Sequence, residues 1–312
     1  MNSPEPQCAG AVMVVRPAAF GYNPQTAPSN RFMRTAGPAA GSAAELARAE
    51  LDSLVQSLRS EGIGVCVAED TIEPAKPDAV FPNNWVSFHP DGTVVLYPMQ
   101  AQNRRLERRT ELIEQVSRDL GYSVRRTLDL TAHERDGRFL EGTGSLVLDH
   151  VQRVAYACRS PRTDPQVLQE WCRALEYEPL LFDALDRGGV PLYHTNVVLS
   201  ITTRTVVVGS EAIAAADRGQ ILQRLGASGR EVIEISHAEI EGFAANVLEL
   251  ATWDEALGDA TVLVMSSGAR RALGERAFTR LTSGSDIVLA VPVPTIEQLG
   301  GGSVRCMLAE VF

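Results

Sequence analysis

The feature that most constrains this chain is a recurrence with a period of roughly 50 to 60 residues. Four segments share one order of punctuation, apolar run, turn and second apolar run: "NNWVSFHPDGTVVLYPM", "EGTGSLVLDHVQRVAYACRS", "HTNVVLSITTRTVVVGS" and "AANVLELATWDEALGDATVLVMSS". Each reads as a β-hairpin, the first with Asp91-Gly92 supplying its turn. Helical stretches follow at residues 104–120, 164–175, 212–225 and 269–281, and strand-like runs such as "YEPLLFDAL" and "REVIEIS" come next. Anchors at Asn84, Gly144, Asn196, Asn246 and Cys306 lie 60, 52, 50 and 60 residues apart. The last anchor reads as the start of a strand in "GGGSVRCMLAEVF", and no hairpin partner follows it. The N-terminal region supplies one in "AVMVVRP", then a helix at residues 43–60 and a strand "GIGVCVAE". The pattern predicts an α/β fold, a five-bladed pseudo-fivefold propeller of ββαβ units closed by the two chain ends, with residues 1–312 as one domain. A doubly wound nucleotide-binding sheet is the rival. No GxGxxG or Walker motif follows an early strand, and Gly300–Gly302 leads away from a helix start.

Composition narrows the partners. A formal charge of -10 argues against nucleic acid or an anionic membrane surface. The first residues lack a basic stretch followed by a long apolar run, and no run of about 18 apolar residues occurs anywhere. Five cysteines, at 8, 66, 158, 172 and 306, form no CxxC pair and are odd in number, as expected of a reduced, cytoplasmic protein. No histidine pair has metal-ligand spacing, so no metal is expected. Histidines 89, 133, 150 and 237 fall in turns or polar loops and read as structural. Residues 17–42 form a long Pro/Gly/Asn-rich connection of the kind that serves as a lid or binding loop.

In a pseudo-symmetric ring the unit starts converge on the central axis. This would gather Asn83, Asn84, Glu141, His194, Asn196, Asn246 and Cys306 around one pocket. A thiol, an imidazole and a carboxylate are the parts of a Cys–His–acid nucleophilic site. The bland alternative makes Cys306 a small buried hydrophobe, His194 a satisfied core histidine, Glu141 a turn residue and the asparagines caps. It requires independent coincidences at equivalent positions of successive units.

"FLEGTGS", "YHTN" and "GGGSVRCM" resemble the signature segments of the guanidino-group-modifying (pentein) superfamily, which includes arginine deiminase and dimethylarginine dimethylaminohydrolase. With "RPAAFGYNPQTAPSN" and "FPNNW", the chain is most similar to the citrulline-hydrolysing subgroup related to amidinotransferases. The resemblance spans nearly the whole chain. It implies a single catalytic five-bladed propeller, a nucleophilic Cys306, a general acid/base His194, a supporting Glu141 and no cofactor. It further implies that Asn23, Thr26, Asn30 and Arg31 belong to a segment reaching over the substrate.

The deiminases carry aspartates where this chain has Asn84 and Asn196, and those carboxylates pair with a guanidinium. An amide offers a donor and an acceptor at once and so suits a neutral urea. The expected activity is hydrolysis of citrulline to ornithine, ammonia and carbon dioxide through a covalent cysteine intermediate. Arginine or methylarginine deimination, amidino transfer and a non-catalytic amino-acid-binding propeller are the alternatives. Aspartates at both positions would be expected to shift affinity toward guanidino compounds. The expected partner is a small-molecule amino acid, with neither nucleic acid nor membrane, and a homodimer is one open assembly.

Overall fold

The computed structural model describes residues 5–35 and 40–312, so residues 36–39 of the long early connection lie outside the described residues. Fifteen strands among them form five three-stranded sheets. β1 (Ala11–Arg16) pairs in parallel with β2 (Gly64–Glu69) and antiparallel with β15 (Ala309–Val311), so both ends of the chain share one sheet. The other sheets repeat that order. They comprise β3 (Val86–Phe88), β4 (Thr93–Leu96) and β5 (Arg126–Asp129), then β6 (Val147–Asp149), β7 (Val154–Cys158) and β8 (Glu178–Phe182). Next come β9 (Leu199–Ile201), β10 (Thr205–Val208) and β11 (Glu231–Glu234), and finally β12 (Leu248–Asp254), β13 (Gly258–Ser266) and β14 (Ile287–Val291). In each, the first two strands are antiparallel and the third is parallel to the second. This is the five-bladed propeller that the repeat predicts.

Local chemistry explains the elements. A parallel third strand needs a crossover, and helices Glu111–Leu120, Pro165–Leu175 and Ala215–Gly226 supply it in three blades. Asp164 caps one of them by accepting from the Gln166 and Val167 amides, with Pro165 at the first helical position. Gly121, at φ 72°, stops another in the left-handed conformation. The β3–β4 turn falls at Asp91-Gly92, where Gly92 has φ 81° and the Thr93 amide donates to Asp91 Oδ1.

Three expectations are corrected. Residues 269–281 form two short helices in place of one, Ser267–Ala272 and Glu275–Thr282, separated at Leu273 and Gly274. Residues 104–120 are not one helix: a 3₁₀ stretch, Gln102–Glu107, precedes the helix and is separate from it. Cys306 does not begin the last strand; it sits in a single helical turn, Val304–Met307, before β15. Equivalent turns, Pro82–Asn84, Gly142–Ser145 and Thr195–Val197, precede β3, β6 and β9. A fully buried run of a few residues has no polar face to reveal its period, so one helical turn and a strand start read alike.

Apolar side chains pack between neighbouring blades. Trp171 from the helix Pro165–Leu175 is wholly buried, and its Nε1–H donates to the hydroxyl of Tyr97, which follows β4. Among the described residues no helix is long and apolar enough to cross a membrane. Replacing Trp171 with alanine is expected to cost about 3–5 kcal/mol of stability, because it leaves a large cavity and takes from the Tyr97 hydroxyl one of its two partners, the other being Ser87 Oγ. Trp253, 66% exposed at the end of β12, should tolerate the same change to within about 0.5 kcal/mol. Urea unfolding of the two variants checks the contrast.

Candidate active site

The turns before the inner strands bring their side chains together at the propeller axis. His194 precedes one turn in extended backbone, and its Nε2 lies 2.9 Å from Glu141 Oε2. Both residues are buried. Burial lowers the pKa of the imidazole to about 4 despite the Glu141 carboxylate, so His194 is neutral near pH 7. With Nε2–H donated to Glu141, the Nδ1 lone pair is the one left for chemistry. Burial opposes ionisation of Glu141, but Arg162, His194 and Arg104 outweigh it and hold the carboxyl well below the usual range.

Glycines make this approach possible. A Cβ on Gly144 would lie 2.5 Å from Asn84 Nδ2 and 2.6 Å from His194 Nδ1. Gly142 has φ 47°, and a Cβ there would run into the Asn83 carbonyl.

Cys306 is buried between two amides. Asn246 Nδ2 lies 3.2 Å from its sulfur and Asn196 Nδ2 3.5 Å. Burial raises the thiol's pKa, and the Ser303 backbone, Asn246, Arg305 and Asn196 oppose that rise. A small cavity of about 10 Å³ joins Cys306 and His194 to Asn30, Asp78, Phe81, Asn84, Arg104 and Tyr193, with Arg162 also on its wall. A larger cavity of about 510 Å³ lies behind Phe32 and has no cysteine or Glu141 on its walls.

The sequence-derived residues divide into three groups. Asn30, Asn84, His194 and Cys306 line the catalytic cavity. Asn83, Asn196, Asn246 and Glu141 stand directly behind it: Asn83 donates to Thr143 Oγ1, and Asn246 to the Asn196 carbonyl. Asn23 and Thr26 are one layer back, both donating to Asp78 Oδ2. Arg31 is a correction. It is 61% exposed, faces Asp186 at 3.6 Å and lines the larger cavity instead. Its neighbour Asn30 turns inward to the Gly300 and Gly301 carbonyls, which aims the next side chain outward. His89 and His150, which read as structural, are buried on Ser87 Oγ and the Tyr177 hydroxyl respectively.

Sequence reasoning missed the buried charges. Arg104 grips Glu107 through two bonds, at 3.0 and 2.9 Å, and donates to Asn84 Oδ1 at 2.8 Å. Arg162 donates to the Thr26 carbonyl and Ser29 Oγ, lies 3.4 Å from Glu141 and covers the Tyr193 ring. Asp78 has one carboxylate oxygen, Oδ1, that is buried without a hydrogen-bond partner. In "KPDAVF" and "SPRTD" these look like solvated loop charges, "NRRLERR" looks like the polar start of a helix, and nothing local marks them as buried. Among the described residues no group of three or more His, Cys, Asp or Glu side chains is arranged to hold a metal ion.

A profile of the family described as N,N dimethylarginine dimethylhydrolase, eukaryotic, matches residues 16–312. Among solved structures, an arginine dihydrolase from the ornithine–ammonia cycle in cyanobacteria superposes with a TM-score of 0.72 at 17% identity. That match covers 96% of this chain and 40% of the other, so the chain spans less than half the length of that enzyme. The N-terminal domain of the same enzyme, solved with bound substrate, gives 0.68 at 17% identity over 96% and 97% of the two chains. A dimethylarginine dimethylaminohydrolase in an adduct with S-methyl-L-thiocitrulline gives 0.62 at 16% identity over 97% and 99%. At such identities these likenesses concern the fold. No curated protein sequence matches.

The buried histidines predict an acid weakness. Burial lowers the pKa of His89 to about 4, of His150 to about 3 and of His194 to about 4. In the unfolded chain each returns to about 6.5, so between pH 6.5 and 4 the unfolded state binds more protons and stability falls as pH drops. Urea midpoints should decline through that window, with about two to three protons taken up on unfolding near pH 5. His89→Gln should remove about one of them. A midpoint that stays flat from pH 6.5 to 4 would contradict the neutral burial.

Proposed function

The chain belongs to the N,N-dimethylarginine dimethylhydrolase family, within the guanidino-modifying superfamily of hydrolases acting on C–N bonds, and from that premise we propose that it hydrolyses citrulline to ornithine. The observation that carries this reading is the neutrality of the groups around the sulfur. Asn196 and Asn246 contact it, Asn84 lines the same cavity, and the nearby Glu141 is engaged by His194. A ureido group, with no charge to pair, suits amide neighbours, whereas a guanidinium there would lack a counter-charge.

Charges beside this neutral cluster suit the other end of an amino acid. The free Oδ1 of Asp78 can accept from an α-ammonium, and Arg104 and Arg162 can face an α-carboxylate. In the proposed cycle His194 Nδ1 takes the Cys306 proton and the thiolate attacks the ureido carbon. The C–N bond to the substrate's side chain breaks, and the imidazolium protonates the departing ornithine nitrogen. Water, deprotonated by the same imidazole, then attacks the S-carbamoyl carbon and frees the thiol. The carbamate released decays to ammonia and carbon dioxide. Glu141 orients the ring and balances its transient charge. The cavity around Cys306 is too small for an amino acid, so residues 23–34 act as the lid and move to admit one.

A second reading has its own support. The unpaired Asp78 oxygen lies in the same cavity as Cys306 and could pair with a guanidinium, which favours hydrolysis of arginine. Incubation with citrulline, arginine and methylarginines, with product identification, separates the two. Ornithine and one ammonia from citrulline, with arginine inert, is the expected result; citrulline accumulating from arginine would overturn it.

The nucleophile is tested by Cys306→Ala, which should lower turnover more than about a hundredfold with the fold intact. Asn84→Asp is expected to lower citrulline turnover about 30- to 1000-fold. The structure bears on what a carboxylate at position 84 would do. Arg104 donates to Asn84 Oδ1, so a carboxylate at position 84 would pair with that arginine instead of with a guanidino ligand. Binding of arginine to Asn84→Asp should therefore be no tighter than to the wild type, as isothermal titration would measure.

A further inference from the structure

Asn246 is not on the wall of the catalytic cavity, yet its amide reaches the reacting atom. Its Nδ2 donates one hydrogen to the Asn196 carbonyl at 3.0 Å and directs the other at Cys306 Sγ, 3.2 Å away. Asn196 repeats the arrangement, with Nδ2 3.1 Å from the Thr143 carbonyl and 3.5 Å from Sγ. A carbonyl oxygen can only accept, so each backbone partner fixes which end of the amide is the NH₂. The two oxygens lie slightly farther from the sulfur, Oδ1 of Asn246 at 3.7 Å and of Asn196 at 3.8 Å. An S–H can therefore point to an amide oxygen, and a thiolate can take two N–H donors without either side chain moving.

Among the described residues no cation donates to the sulfur, although the charge of Arg305 favours the thiolate from a distance. Arg305, adjacent in the chain, donates to the Leu308 carbonyl and the Glu310 carboxylate. His194 is neutral and bound to Glu141. Arg104 and Arg162, across the cavity, are held by Glu107 and by Ser29, Thr26 and Glu141. The remaining ionisable groups on the cavity wall are Asp78 and Tyr193, and neither can supply positive charge. A buried thiolate needs donors, because desolvation strongly disfavours it.

We propose that Asn246, together with Asn196, forms a neutral amide cradle that stabilises the Cys306 thiolate, so that Asn246 is a catalytic residue acting on the sulfur and not on the substrate. This rests on Cys306 being the nucleophile but not on the identity of the substrate. The proton leaves the sulfur for His194, and the contact passes from S–H···O to N–H···S at the same two side chains. Asn246→Asp keeps the shape, removes the donor and adds a like charge; Asn246→Ala removes the donor to the sulfur, the amide oxygen and the bond to the Asn196 carbonyl, and adds no charge.

The test is the rate of Cys306 alkylation by iodoacetamide from pH 6 to 10, followed by mass spectrometry of its peptide, with folding checked by circular dichroism. No substrate takes part, so a wrong substrate assignment leaves the result readable. The midpoint should rise by about one pH unit or more in Asn246→Ala, about tenfold less thiolate at a given pH, and further in Asn246→Asp. A folded variant whose midpoint matches the wild type would overturn the proposal. Asn246 also holds the Asn196 carbonyl, so Asn196→Ala is measured as a further variant, and an unshifted midpoint in that folded protein overturns the cradle as well.

Discussion

The chain of side-chain amides across the propeller axis is the constraint on which the site depends. Asn83 donates to Thr143 Oγ1, Asn196 to the Thr143 carbonyl and Asn246 to the Asn196 carbonyl. Each bond ties the turn at the head of one blade to the turn at the head of another. The backbone groups satisfied this way are buried at a place where strand pairing has not begun, so an unmet bond there would be costly. The same bonds orient the amides that face Cys306. Fold closure and site geometry are therefore served by one set of groups. The strand pairing of β1 with β15 closes the remaining gap and brings the turn carrying Cys306 into the ring.

A second constraint is electrostatic. Glu141, Glu107 and Asp78 are buried beside Arg104 and Arg162. Taking these charges out of water is expensive, and the cluster persists because nearly every lone pair and N–H within it has a partner. It keeps Glu141 ionised and hence able to hold His194 by a charge-assisted bond. Oδ1 of Asp78, a residue on the wall of the small cavity, is the exception, buried without a hydrogen-bond partner. An unsatisfied buried group of this kind is more economically explained by a ligand than by tolerance of a loss.

The early loop joins these two systems. Arg162 holds the Thr26 carbonyl and Ser29 Oγ while touching Glu141, and Asn30 reaches the Gly300 and Gly301 carbonyls just ahead of Cys306. Phe32 packs on Tyr193, whose ring lies 4.7 Å from that of His194. Displacement of the loop would disturb an arginine and an aromatic ring that both lie against the Glu141–His194 pair, so the loop and the electrostatics of that pair are coupled by contact.

By itself the sequence determined the succession of strands, helices and turns, because hairpin punctuation and apolar runs are local and recur with each unit. From that recurrence it also indicated that the unit starts meet at one axis, which is where Asn84, His194, Asn196, Asn246 and Cys306 are found. Only the tertiary structure decided which charged residues turn inward. Arg31 and Arg104 both lie in polar sequence, one in the early loop and one at the start of a stretch read as helix, yet one is 61% and the other 2% exposed at the side chain. The difference arises from what each side chain meets. Arg31 meets Asp186 at the rim, whereas Arg104 meets Glu107 from its own 3₁₀ stretch, Asp78 and Asn84 from the segment that ends at the turn before β3, and Glu141 from the next blade. Burial of a charge depends on partners distant in sequence, so no local pattern of residues can announce it.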